Sequence, residues 1–240
     1  MDRINLQWKS NGEQNAGLGK MVSIADVSGS MTCDDSIPLY NAIGLSIRVS
    51  EKAAPAFRDR IITFTETPSW VKLDGNKTFC EKVQEVKKAP WGMTTNIYLA
   101  FQMILDGIKE SEMSPVDVEN MALIVFSDMQ INAGTRGLES TLMDSIIKMF
   151  ADAGNASKYA APYSAPHLVW WNLRKTSGFP TLSTMKNTTM LSGYNAGLLN
   201  AFESKGVDVL KEYTPAKMIH DILSTERYKM LDRHILSYFS

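Results

Sequence analysis

The sequence predicts an α/β domain built on a mostly parallel sheet, with helices on both faces and one antiparallel edge strand. Three observations predict it. Short apolar runs alternate with segments of helical periodicity along the chain. The clearest runs, such as MALIVF at 121–126, are apolar at every position, the pattern of strands covered on both faces. Two runs, RIITF at 60–64 and WVKL at 70–73, are separated by the turn-like TETPS and suit an antiparallel hairpin.

The elements follow in order. Residues 1–19 are polar, carry Gly12, Gly17 and Gly19, and read as an extension or linker ahead of a domain spanning 20–240. MVSIADV at 21–27 is a short, buried strand bounded by turn residues. From Pro38 to Ala54 the residues Leu39, Ala42, Ile43, Leu45, Ile47 and Val49 recur at helical intervals until Pro55 stops them. After the hairpin, Phe79 to Lys88 and Ile97 to Ile108 read as helices, the second opening beyond a Thr-Thr-Asn that offers a cap. MALIVFSD at 121–128 is the central strand, and Leu138 to Ala153 a helix ended by Gly154. HLVWWNL at 167–173 and TTMLSG at 188–193 are strands, and helical patterns follow at 196–202, 215–223 and 227–239.

Composition narrows the classes of function. With 44% hydrophobic and 21% charged residues in 240, the chain can bury a full core. Lysine and arginine total 25 against 26 acids, so no excess of positive charge draws nucleic acid or anionic membrane. No apolar run is long enough to span a bilayer, and the first 20 residues lack the apolar stretch of a signal peptide. The two cysteines, Cys33 and Cys80, and the three histidines, His167, His220 and His234, match no zinc spacing. An intracellular, cytoplasmic compartment is the economical expectation, or the virion if the chain is viral.

The stretch IADVSGSMTCDD at 24–35 runs an apolar strand into an acid, two serines and a glycine. Such residues serve as an ordinary turn or helix cap, or as hard oxygen ligands at a strand end. In parallel sheets ligands bind beyond the carboxyl ends of the strands, where the strand order reverses. Three polar segments belong at that edge: Asp26-Val27-Ser28-Gly29-Ser30, Trp91-Gly92-Met93-Thr94-Thr95-Asn96 and Ser127-Asp128-Met129.

Asp-x-Ser-x-Ser after the first strand, a Thr in a Gly-containing loop and an Asp after a central strand resemble the metal-ion-dependent adhesion site (MIDAS) of von Willebrand factor A (vWA) domains. The order of DVSGSM, TFTETP, WGMTTN, VFSDMQ, VWWNLR and LSGYNAGLL is similar to that of a plant, bacterial and giant-virus group ending in this domain. A related domain occurs in Ro-type RNA-binding proteins, whose helical-repeat ring is absent from this chain. The resemblance implies a three-layer, Rossmann-like vWA fold and a metal site of Asp26, Ser28, Ser30, Thr95 and Asp128, acting directly or through water. Thr94 is the alternative to Thr95. Met93 and Met129 depart from the commoner pattern, which has glycine at both rim positions.

The chemistry of the set suits magnesium, with manganese or calcium as alternatives. Magnesium prefers hard oxygens in near-octahedral array and keeps several waters. The five residues are hydroxyls and carboxylates, without the thiol or imidazole that soft metals select. An ion held largely by neutral hydroxyls retains positive charge, and the resemblance implies that a protein partner's Asp or Glu completes its coordination. The expected function is therefore a non-enzymatic, cation-dependent binding module. Two alternatives are a metal-stabilised structural component of a ribonucleoprotein or virion assembly, and a magnesium-dependent phosphoester hydrolase. A dehalogenase-type hydrolase needs a second Asp two residues after the first, where this chain has Ser28. No P-loop, nucleophile elbow or His-Glu-x-x-His is present.

Other conspicuous residues have plainer readings. Trp170 and Trp171 are expected to pack on opposite faces of one strand, and the 14 methionines to fill gaps in the core. Asp34 and Asp35 read as solvated loop acids or as added charge near the ion. Arg174, Lys175 and Lys186 read as exposed rim residues.

Overall fold

A computed structural model describes residues 2–13, 20–64, 68–89, 97–129, 139–174, 187–194, 220 and 223–224. The strands are β1 (Met21–Asp26), β2 (Arg60–Phe64), β3 (Ser69–Lys72), β4 (Ala122–Ser127), β5 (His167–Asn172) and β6 (Thr188–Ser192). The helices are α1 (Asp2–Glu13), α2 (Ile37–Lys52), α3 (Phe79–Lys87), α4 (Ile97–Glu110), α5 (Pro115–Glu119) and α6 (Glu139–Asn155). The chain forms two compact units, residues 1–207 and 208–240. In the second, the Ser224 N–H donates to the His220 carbonyl at 2.9 Å. Residues 196–202 and 227–239, expected to be helical, lie outside the described residues, as does most of 215–223.

The sheet runs β3-β2-β1-β4-β5-β6. All neighbours are parallel except β2 and β3, which form the expected antiparallel edge, with Ile61 opposite Val71. Strand β1 leads through α2 to β2 on one side, while β4 lies on its other side, so the strand order reverses between β1 and β4. Their carboxyl ends are the switch point of the sheet.

Strand alternation divides the core. Val22, Ile24, Leu123, Val125, Leu168 and Trp170 point to one face, where they meet Phe101 and Ile104 of α4 and Ile146 and Phe150 of α6. The opposite face carries α2, which packs on β1, β2 and β4. There the Ser23 hydroxyl donates to the Ser46 carbonyl at 3.4 Å, and Ile43 and Ile47 are fully buried. Each such side chain withdrawn from water stabilises the fold by about 1.5–3 kcal/mol. Trp170 and Trp171 occupy opposite faces as expected. Trp171 rests against Phe126 at 5.3 Å between ring centroids and donates its Nε1–H to the Gly193 carbonyl at 2.8 Å.

Three details add to or depart from the sequence reading. Residues 2–13, within the segment read as an extension, form a helix docked on α2 and α3. Trp8 stacks on Phe79 at 3.8 Å between centroids, and the Arg48 guanidinium lies 3.8 Å over its ring. Gly154 does not end α6, which continues to Asn155. A Cβ on Gly154 would come within 2.2 Å of the Tyr163 nitrogen, so this glycine permits close packing of the returning chain. The short α5 has a cap legible in retrospect as Ser-Pro-x-Asp: Ser114 accepts from the Asp117 N–H at 3.2 Å, and Asp117 accepts in return from the Ser114 N–H. Among the described residues no helix is long and apolar enough to cross a membrane.

Candidate metal centre

The site begins where β1 ends. Asp26 is almost wholly buried, at 2% exposure, because its strand lies inside the sheet. Its Oδ1 accepts the Ser28 N–H at 2.9 Å, which turns the chain sharply after the strand. The chain then enters a single turn of tight helix, Gly29–Thr32, anchored by the buried Met31. That turn brings the Ser28 and Ser30 hydroxyls together at 3.1 Å.

The turn itself does not consume these hydroxyls. Ser28 stands at its N-terminal cap position but makes no side-chain capping bond, and Thr32 closes the turn instead by donating to the Gly29 carbonyl at 2.7 Å. The capping explanation of Ser28 therefore lacks its hydrogen bond. The following residues Asp34, Asp35 and Ser36 all have positive φ, between 53° and 62°. Left-handed non-glycine residues cost on the order of 1–3 kcal/mol each, so the loop beside the serines is held in a conformation that local preference opposes.

The second half of the site comes from the end of β4. Ser127 and Asp128 are fully buried. The Ser127 hydroxyl donates to Asp26 Oδ2 at 2.6 Å and accepts the Met129 N–H at 3.0 Å. It thus joins the two strand ends and fixes the turn that carries Asp128. Sequence reasoning placed Ser127 in the right segment but gave it no role; the signal available was its position immediately before the acid at a strand end.

Burial raises the Asp26 carboxyl from its ordinary 3.8 to about 6. The hydroxyl of Ser127 and the hydroxyl and N–H of Ser28 oppose the rise, and the nearby negative charge of Asp128 adds to it. Two acids are therefore confined to one dry edge, where a cation would relieve both. The Arg174 guanidinium partly does so, with Nη1 3.5 Å from Asp128 Oδ2 and Nε 3.8 Å from Asp34 Oδ2. Arg174, read from sequence as a rim residue, faces into the acidic edge with its side chain 25% exposed.

The structure thus gathers Asp26, Ser28, Ser30 and Asp128 at the switch point, while Thr95 and its alternative Thr94 lie outside the described residues. Among the described residues no three His, Cys, Asp or Glu side chains form a metal-holding group. Any ion here would depend on the serine hydroxyls, and the set fits magnesium in its all-oxygen chemistry, its paired hydroxyls and its buried, charge-strained carboxylate.

A family model described as Domain of unknown function (DUF7788) matches residues 20–234. An uncharacterised protein of Acanthamoeba polyphaga mimivirus is 34% identical over 227 residues, covering 92% of this chain and 36% of that protein. The chain therefore spans little more than a third of that relative's length. Among solved structures, the Ro protein of Deinococcus radiodurans has a TM-score of 0.49 at 18% identity, covering 78% of this chain and 34% of that one. A von Willebrand factor type A protein from Catenulispora acidiphila has a TM-score of 0.41 at 13% identity, covering 81% and 43%. The mimivirus protein belongs to the giant viruses, one of the groups whose motif order this sequence resembles.

Proposed function

The chain belongs to the family described as Domain of unknown function (DUF7788), and we propose that it is a non-enzymatic binding module whose switch-point edge takes a divalent cation and, through it, an acidic group of a protein partner. The observation that carries this reading is the convergence of Asp26, Ser28, Ser30 and Asp128 on one edge, with Ser28 and Ser30 paired to each other rather than to the turn backbone. Ser28, Ser30 and Thr95 would hold the ion with Asp26 and Asp128, directly or through water. Bound there, it would supply a hard, positively charged coordination position for a carboxylate.

The residue two positions after Asp26 supports the non-enzymatic assignment. An aspartate acting as nucleophile needs an acid or base beside it, and the residue there is Ser28.

Calorimetric titration of magnesium and manganese tests the ion, with Asp26→Ala and Asp128→Ala in parallel. The wild-type chain is expected to bind and both variants to lose binding. An array of short peptides centred on Asp or Glu, probed in magnesium and in EDTA, then tests the partner chemistry. No ion uptake by the wild-type chain, or peptide capture indifferent to EDTA, overturns the reading.

A further inference from the structure

We propose that Arg174 is a built-in counter-cation of the site, competing with the divalent ion for Asp128 and so setting the ion's affinity. The proposal rests on the cation-binding reading above and adds its control. Its ground is the placement of one guanidinium between a fully buried carboxylate, Asp128, and a loop carboxylate, Asp34, at 3.5 and 3.8 Å.

The backbone fixes where this side chain starts. Arg174 follows β5, the neighbour of β4, and its N–H donates to the Asn172 side-chain oxygen at 2.9 Å. Asn172 is buried, and its carbonyl accepts the Gly193 N–H at 2.9 Å, while the Leu173 N–H donates to the Ser127 carbonyl at 2.9 Å. Two consecutive residues are thus tied to the neighbouring strand ends, which leaves the side chain as the moving part.

The distances describe how tightly it is held. Charge-assisted N–H···O bonds are about 2.7–2.9 Å long, and both contacts of Arg174 exceed that. The guanidinium is retained by charge more than by directed hydrogen bonds. Asp34, an exposed carboxylate at a left-handed position (φ 53°) beyond the serine turn, adds a weaker attraction.

Positive charge nearby stabilises an ionised buried carboxylate, and the guanidinium and a divalent ion are alternative sources of it. With both present, their mutual repulsion opposes joint occupancy. Ion binding and the Arg174 contact with Asp128 are therefore linked with opposite sign, and each weakens the other by the same factor.

Magnesium titration of wild type, Arg174→Gln, Arg174→Lys and Asp26→Ala tests this, read by calorimetry and by the magnesium-induced rise in Tm. Removing a unit charge a few ångströms from the ion in a partly screened site is expected to tighten binding on the order of tenfold. R174Q should also show a lower Tm in EDTA and a larger rise with magnesium, while R174K stays near wild type. A merely structural arginine would lower the Tm without any gain in affinity. Equal or weaker binding by R174Q, with wild-type uptake still abolished by D26A, overturns this proposal and leaves the cation reading intact. No uptake by any protein, R174Q included, overturns both. Should R174Q fail to fold, the Arg174 Nε–H resonance of the wild-type chain, assigned by its loss in R174K, gives the answer. It should shift and exchange faster at saturating magnesium, and an unchanged resonance overturns the proposal.

Discussion

The hydroxyl of Ser127 donates to Asp26 Oδ2 at 2.6 Å, linking residues 101 positions apart across the point where the strand order reverses. The same oxygen accepts the Met129 N–H. One small side chain thereby holds the two acidic strand ends in register with each other.

Ser127→Ala should therefore reach both halves of the site. It leaves a buried carboxylate oxygen and the Met129 N–H without this partner, at an expected cost of about 1–3 kcal/mol. Denaturant unfolding measures the loss, and magnesium affinity should fall with it. Ser127→Thr, which keeps the hydroxyl, should recover part of both.

The Asp26 carboxyl, held at about 6 against 3.8, binds its proton more tightly in the folded chain than in the unfolded one. Its contribution to stability consequently rises as pH falls through 6 towards 3.8, and is lost above about 6. In EDTA the wild-type chain should gain about 1 kcal/mol from this group between pH 7 and pH 5. Asp26→Asn should lack that gain and be the more stable protein at pH 7. A wild-type profile parallel to that of D26N would contradict this account of the burial.

The serine pair should act on the ion and little on the fold. Ser30 is half-buried, and its hydroxyl bonds to Ser28 rather than to the turn. Ser28→Ala and Ser30→Ala are each expected to weaken magnesium binding on the order of tenfold or more, with Tm in EDTA nearly unchanged. A large drop in Tm with unaltered ion binding would mark them as turn residues.

Docking of α1 depends on Trp8, which is stacked on Phe79 and covered by Arg48, and donates its Nε1–H to Glu51 at 3.0 Å. Trp8→Ala removes the ring contact, the cation–π contact and that bond, with an expected loss of about 1–3 kcal/mol. Hydrogen exchange at residues 2–13 should quicken while β1 and β4 keep their protection.

Gly154→Ala should be among the most damaging single changes in α6. The new methyl would meet the Tyr163 nitrogen at 2.2 Å and the Ala161 carbonyl at 2.5 Å, and backbone cannot swing aside as a side chain can. Overpacking of this kind costs about 1–3 kcal/mol or more, measurable as a fall in Tm.

Local pattern determined a great deal of this protein. The apolar runs of β4 and β5, and that of β1 broken only by Ser23, identified buried parallel strands, because a strand covered by helices on both faces leaves little room for a polar side chain without a partner, and Ser23 has one in the Ser46 carbonyl. The polar residues that follow β1 and β4 located the edge where Asp26, Ser28, Ser30 and Asp128 now stand. Tertiary structure alone decided the rest. Ser127 acquires its role only when β1 and β4 become neighbours, and Arg174 becomes part of the acidic edge only when β5 lies beside β4. Likewise the polar residues 2–13 carry no strong apolar face, and their helix is settled by the aromatic ring of Phe79 and the charge of Arg48, which come from elsewhere in the chain. Hydrophobic periodicity is a local record of which side of an element is buried. A hydrogen bond or ion pair between distant residues depends on where whole elements come to rest, and no stretch of sequence records it by itself.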